Sequence, residues 1–300
     1  MTGVLAIVNP AAGGGRCGAL APRALDRLRA DGVALDRVET RGPGDASRLA
    51  REAYAAGVRW FIAVGGDGTG FEIVNGLLPA ALDASPEERP CLGFLPLGTG
   101  NSFLRDFGSG DALHAATALR ERRRKPCDVV RLAHADGELF FINLLSVGFV
   151  ANVAACANRR FKRLGPAGYG LGVLVETASL ALRPWHMQLD GSEWHEPVLF
   201  ASFCNSRFTG GKMMMAPFAD SSDGQLDVIV ASRMGRMQLL RAFPRIFSGT
   251  HVHMPTIACS RARSVQIDAD EAMDLMIDGE VVRQTPRRLD VLGGAIDVCV

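Results

Sequence analysis

Gly65-Gly66-Asp67-Gly68-Thr69 places a carboxylate and a hydroxyl among small residues, directly after the apolar run Trp60–Val64. Small residues leave room for a nucleotide, and Asp67 is suited to bind Mg2+ or to position a proton. An Asp-Gly hairpin turn would be followed by alternating residues. Here Phe71, Val74 and Leu78 instead fall on one face at helical spacing. A second glycine-rich stretch, Asn9-Pro10-Ala11-Ala12-Gly13-Gly14-Gly15-Arg16, follows Val4–Val8 and lets backbone N–H groups approach an anion at the start of a helix. It lacks the Lys-Ser/Thr ending of a P-loop. Gly98-Thr99-Gly100-Asn101 repeats the pattern after Cys91–Leu95, with Asn101 or Ser102 either capping a helix or meeting a ligand. Thr40, after Val33–Glu39, completes four loops.

Loops of this kind need a scaffold that brings them to one place. Four apolar runs, each followed by a helical pattern, imply parallel strands with right-handed crossovers, and ligands of such sheets bind beyond the carboxyl ends of the strands. Asp45 is suited to cap the second helix. Near Arg120–Pro126 the character changes to short β-like runs: Val129–Ala133, Leu139–Leu145, Met187–Leu189, Val198–Cys204, Leu226–Ala231, Ser264–Ile267, Asp274–Ile277, Leu289–Leu292 and Ile296–Val300. Two helical stretches, about Ala151–Leu182 and Met237–Phe247, interrupt them. The expected organisation is an α/β domain over 1–127 and a β-sandwich over 128–300, the extreme C-terminus being free to return to the first domain.

Composition narrows the classes. At 300 residues and 48% hydrophobic, the chain can fill two cores. Lys plus Arg number 33 against 32 Asp plus Glu, so no global charge draws it to nucleic acid. Seven widely spaced cysteines suggest neither a zinc site nor a disulfide framework, and a reducing cytoplasm is the expected setting. Neither a secretion signal nor a membrane span is legible; Gly165–Leu182 carries Glu176 and is short and mixed.

Asp278-Gly279-Glu280 ends the strand-like run at 274–277, yet Asp-Gly occurs six times in the chain, and the same tripeptide, Asp136-Gly137-Glu138, reads as a hairpin turn. Met213-Met214-Met215 suits an acyl pocket or core filling. Arg159, Arg160, Phe161, Lys162 and Arg163 suit an anionic membrane surface or a solvated helix face.

In order and spacing, the glycine loops, Glu72, Asn75-Gly76, Pro96–Asn101, Phe141-Ile142-Asn143, Asn205-Ser206, Ala216-Pro217, Asp223–Asp227 and Asp278-Gly279-Glu280 resemble the diacylglycerol kinase catalytic domain superfamily of lipid kinases. The resemblance implies a nucleotide domain akin to those of phosphofructokinases and NAD kinases, a β-rich lipid-binding domain, and an active site in the cleft between them. ATP would be surrounded by Asn9, Pro10, Ala11, Ala12, Gly13, Thr40, Gly66, Gly68, Thr69 and Thr99, with Glu72 supporting the loop. Asp67 would act on Mg2+–ATP, while Asp278 and Glu280 would face the acceptor hydroxyl. Asp220, Asp223 and Gln225 match a loop that in bacterial members holds a structural Mg2+ through Asp223 and the backbone carbonyls of Asp220 and Gln225, a solvated turn being the equal alternative. Family members commonly carry Leu-Asn where this chain has Gly70-Phe71, and Asn-Asp where it has Asn101-Ser102. The acceptor is therefore open between diacylglycerol, a sphingoid base, ceramide or another lipid alcohol, and Phe71 is expected to bear on that choice. An NAD kinase-like enzyme and a non-catalytic nucleotide-binding regulator are the rival readings. The expected partner is a lipid at a membrane surface, met peripherally, and a homodimer stays open.

Overall fold

The computed structural model describes residues 3–108, 112–161, 166–178, 180, 182 and 185–300. Lys162 and Arg163 of the basic stretch lie outside them. The chain divides into two units, one of residues 1–129 with 292–300, the other of 130–291.

The first unit alternates β1 (Val4–Val8), α1 (Arg16–Ala30), β2 (Leu35–Glu39), α2 (Asp45–Ala55), β3 (Trp60–Gly65), α3 (Asp67–Leu77), β4 (Cys91–Pro96) and α4 (Ala112–Glu121). The strands are parallel in the order β2-β1-β3-β4. Val8 lies opposite Glu39 on one side and Val64 on the other, and Val64 opposite Leu95, so all four strands end level and release their loops along one edge. The order reverses between β1 and β3, which is where an open α/β sheet leaves a crevice. β3 and β4 are buried almost throughout, as parallel strands covered on both faces must be; β2, at the edge, keeps three of its residues exposed.

Three local expectations change here. Val33 belongs to the end of α1, because its N–H closes on Leu28 O while Gly32 (φ 93°) closes on Arg29 O, a Schellman ending. The residue preceding α2 is Gly44 in a left-handed conformation; Asp45 is the first helical residue, and its Oδ2 accepts the Arg41 N–H at 2.9 Å. Asn101 and Ser102 do not cap through their side chains: the one-turn 3-10 helix Phe103–Phe107 is capped from another loop, as described below.

The second unit holds the last part of β5 (Arg124–His134), then β6 (Gly137–Phe141), β7 (Leu144–Gly148), α5 (Phe149–Arg160), α6 (Pro166–Ala178), β8 (His186–Leu189), β9 (Ser192–Trp194), β10 (Val198–Cys204), β11 (Phe208–Thr209), β12 (Met213–Met214), β13 (Leu226–Ser232), α7 (Arg236–Arg245), β14 (Ile257–Ala262), β15 (Ser264–Asp268), β16 (Met273–Ile277), β17 (Glu280–Gln284) and the first part of β18 (Pro286–Cys299). One antiparallel sheet runs β14-β13-β10-β7-β16-β17, and β18, β15, β8 and β9 pair in sequence in the other. The two sheets form the β-sandwich.

Leu139–Leu145 is two strands because Ile142 and Asn143 give their N–H groups to a side chain instead of a neighbouring strand. The two final runs are one strand, in which Gly294 takes a positive φ (55°) and gives its N–H to Asp128 Oδ1 at 2.7 Å, and Asp297–Cys299 lie parallel to β4. The long helical stretch is two helices, with Pro166 opening α6, a position that needs no backbone donor. β14 and β17 escaped the alternation rule because both are edge strands with mixed polar content.

Candidate active site

Within the first unit, three of the four loops are tied directly together. Asn9, leaving β1, gives its N–H to Val64 O at 3.0 Å and its Nδ2 to Thr69 Oγ1 at 3.5 Å, while its Oδ1 accepts the Ala11 N–H. Arg16 Nη2 reaches Gly98 O at 3.2 Å, and the Gly98 N–H reaches Gly65 O at 2.7 Å. The third and fourth loops touch backbone to backbone: a Cβ on Gly98 would lie 2.5 Å from Gly66 Cα. Only glycine permits that approach.

Asp67 then crosses between loops. Its two carboxylate oxygens accept the Ser102 N–H at 2.8 and 2.9 Å, and Oδ1 also takes the Phe103 N–H at 3.4 Å. These are donors at the start of the 3-10 helix, so Asp67 supplies the cap that Asn101 and Ser102 do not. Burial pushes the Asp67 carboxyl above the usual carboxylate range, and the N–H groups of Ser102 and Phe103 oppose that rise. Asn101 instead turns its Nδ2 back to Pro96 O and Gly98 O.

Glu72 holds the remaining loop. Its Oε1 and Oε2 accept the N–H groups of Gly44 and Ala46 at 2.9 and 3.0 Å, which caps α2 with a negative charge, and Ser47 Oγ donates to Glu72 O. Gly76 makes this reach feasible, since a Cβ there would meet Ser47 O at 2.2 Å and drive α2 and α3 apart. Thr40 follows β2, its N–H on Val8 O, and Thr99 is exposed at the tip of the fourth loop. Phe71 is 8% exposed, part of the buried face of α3, and Gly70 is small because the Phe94 ring lies 2.9 Å from where its Cβ would be. Phe94 therefore leaves no room for a larger residue at position 70.

In the second unit, motifs far apart in sequence form one network. Asp278 and Gly279, both with positive φ (47° and 87°), make the two-residue turn between β16 and β17. Unlike an ordinary turn Asp, Asp278 is 2% exposed, and its carboxylate accepts the N–H groups of Ile142, Asn143 and Leu144 at 3.0, 3.0 and 3.1 Å. Asn205 Nδ2 donates to Ile142 O at 2.7 Å, the N–H groups of Asn205 and Ser206 converge on Asn143 O, and Ser206 Oγ donates to Asn143 Oδ1. Glu280 opens β17 on the exposed side. Asp136, by contrast, sits in the β5–β6 hairpin.

Two family models cover nearly the whole chain: the diacylglycerol kinase catalytic domain matches residues 3–132, and the YegS C-terminal NAD kinase beta sandwich-like domain matches 143–300. A diacylglycerol kinase of Mycobacterium tuberculosis is 31% identical over 98% of this chain and 94% of that protein. This chain belongs to the diacylglycerol kinase family. A Pseudomonas fluorescens relative named "Probable lipid kinase YegS-like" is 32% identical over 92% of this chain and 88% of its own. A solved structure described as a putative diacylglycerol kinase from Bacillus anthracis str. Sterne superposes with a TM-score of 0.80 at 28% identity, covering 99% of this chain and 96% of that one.

The kinase family implies ATP as a substrate, and the motif resemblance adds an expectation of magnesium. In the first unit the chemistry on offer is a carboxylate, the Thr69 and Thr99 hydroxyls and a glycine-rich backbone, which suits phosphate oxygens and a hard cation. The loop at 220–225 is different. Asp220 Oδ1 accepts the Ser222 N–H and hydroxyl, Asp223 Oδ1 accepts the Gln225 N–H, and Asp223 Oδ2 lies 3.4 Å from Arg261 Nη1. The Arg261 Nε is also 3.5 Å from Asp227 Oδ1, and its Nη2 donates to Phe218 O at 3.1 Å. A guanidinium thus stands against the carboxylate that a magnesium ion would need, and like charges compete for it. In this arrangement Arg261 is the counter-charge of Asp223 and Asp227. Sequence reasoning missed Arg261 because it lies on β14, an edge strand, directly opposite Asp227.

Proposed function

We propose that this kinase-family protein transfers the γ-phosphoryl group of ATP to the hydroxyl of a lipid alcohol. The observation that carries the reading is the level ending of four parallel strands, with the first, third and fourth loops tied through Asn9, Asp67, Gly66 and Gly98 and the second held by Glu72. Phosphoryl transfer asks chiefly for alignment and charge neutralisation, and only modest help with the proton. Backbone N–H groups of Gly13 and Gly14 and of Gly66 to Gly68 suit the phosphates; Asn9, Thr40, Thr69 and Thr99 suit the rest of the nucleotide. Magnesium bound at the phosphates would neutralise their charge.

The two carboxylates of the second unit divide the remaining work. Asp278 has its oxygens engaged by three backbone N–H groups, which suits a positioning residue. Glu280, exposed at the start of β17, is the group we assign to take the acceptor's proton. The relatives named diacylglycerol kinase and YegS-like lipid kinase support a lipid acceptor.

The test is incubation with labelled ATP and Mg2+ against diacylglycerol, sphingosine, ceramide, phosphatidylglycerol and NAD. Label in one lipid is the expected outcome. Label in NAD alone, or in none of the five, sinks the proposal.

A further inference from the structure

The helices packed beside one sheet of the second unit carry an apolar surface that no described residue covers. α6 turns Val173 into the core, and its opposite face presents Leu171, Leu174 and Val175, with Leu174 58% exposed. Their spacing of three and four residues makes one stripe. α7 buries Leu239 and Ala242 in the same core and leaves Met237 62% exposed, with Phe247 exposed just past its end. The two helices are neighbours, tied where Arg236 Nη2 donates to Ala178 O at 2.9 Å.

Charge on these helices is one-sided. α5 ends in Arg159 and Arg160, and α7 carries Arg236, Arg241 and Arg245; Glu176 is the acidic residue of the three helices. The whole chain, with 33 basic and 32 acidic residues, has no such excess. A second copy of this surface would bring arginine against arginine, which disfavours a self-complementary contact. Exposed leucines and methionine bordered by arginines match a bilayer interface, where apolar side chains enter the acyl boundary and arginines meet anionic headgroups.

We infer that the outer faces of α6 and α7 dock this protein on an anionic lipid bilayer, with Leu171, Leu174, Val175 and Met237 entering the interface and Arg241 and Arg245 on headgroup phosphates. The inference rests on the lipid-kinase reading, because a lipid alcohol is presented at such a surface. No helix among the described residues is long and apolar enough to cross the membrane, so contact is made from one side.

The experiment is cosedimentation with phosphatidylcholine vesicles, with and without phosphatidylglycerol, for wild type, the double variant Leu174→Gln/Met237→Gln and the double variant Arg241→Glu/Arg245→Glu. All four positions are surface sites, so unchanged melting temperatures are expected and serve as the folding control. Wild type should bind the anionic vesicles, and each double variant should partition at least about tenfold less. Kinase activity on dioctanoylglycerol dispersed in water should match wild type in both. Wild-type partitioning in either variant, or wild type that ignores anionic vesicles, overturns the docking surface. So does a wild-type dimer, seen by sedimentation velocity, that the Leu174→Gln/Met237→Gln variant loses. If vesicle binding behaves as expected while no lipid is phosphorylated, the docking surface stands and the kinase reading falls.

Discussion

Asp67 and Ser102, 35 residues apart, are joined by two hydrogen bonds from one backbone N–H to both oxygens of one carboxylate, at 2.8 and 2.9 Å. The loop after β3 thereby fixes the loop after β4. In Asp67→Asn the amide NH2 replaces one acceptor and faces a backbone donor. A buried donor left unpaired costs about 1–3 kcal/mol. The expected outcome is a lower melting temperature together with a fall in phosphoryl transfer of at least about 100-fold. Unchanged activity would remove Asp67 from the machinery.

Asp278 and Glu280 should separate cleanly. Asp278→Asn disturbs three backbone donors and is expected to cost about 1–3 kcal/mol by urea denaturation. Glu280→Gln, at an exposed position, should stay within about 0.5 kcal/mol of wild type and lower kcat with little change in KM for ATP. If Glu280→Gln retains full kcat at every pH tested, the base is another group.

Glu72→Ala removes the cap of α2. A lost cap costs about 1 kcal/mol, and the second loop, with Thr40 before it, should loosen. The checkable outcome is a raised KM for ATP with the smaller effect on kcat, since no reacting atom is touched.

The loop at 220–225 yields a metal test. With Arg261 at Asp223 and Asp227, the melting temperature of wild type should be the same in EDTA and in excess Mg2+ when no nucleotide is present. Arg261→Leu should lower it, and Mg2+ should then restore part of the loss, because two carboxylates are left without their counter-charge. A wild-type melting temperature that rises with Mg2+ and loses that response in Asp223→Ala would assign the loop to magnesium.

His251 gives a pH dependence. Burial holds its imidazole below the usual value, while Nε2 faces Met215 O at 3.1 Å and Nδ1 has no hydrogen-bond partner among the described residues. The nearby His253 lowers it further. The folded protein then binds fewer protons here than the unfolded chain, so stability is intact above the unfolded value of about 6.5 and falls as pH drops below it. Melting temperatures between pH 7 and 5 should fall less steeply in His251→Gln.

Much of the fold was legible before any coordinates. Val4–Val8 and Val198–Cys204 are strands with the bounds read from the sequence, because each is an apolar run whose neighbours bury it. The run 139–145 was not legible as two strands, since nothing local says that Ile142 and Asn143 lend their N–H groups to a carboxylate 135 residues away. Asp45 looked like a cap by residue type; Glu72 on another helix does the capping, and sequence distance hides such a partner.

The sequence by itself determined the glycine-rich loops after parallel strands, the family resemblance and the carboxylates worth testing, because residue type and spacing act locally. Only the tertiary structure decided what those groups touch. It turned Asp67 onto Ser102, made Asp278 at once a hairpin turn and a buried acceptor, put Phe71 in the core, and set Arg261 against Asp223. The physical reason is that a hydrogen bond or an ion pair is decided by distances between atoms, and the fold sets those distances across spans of sequence that carry no local sign of them.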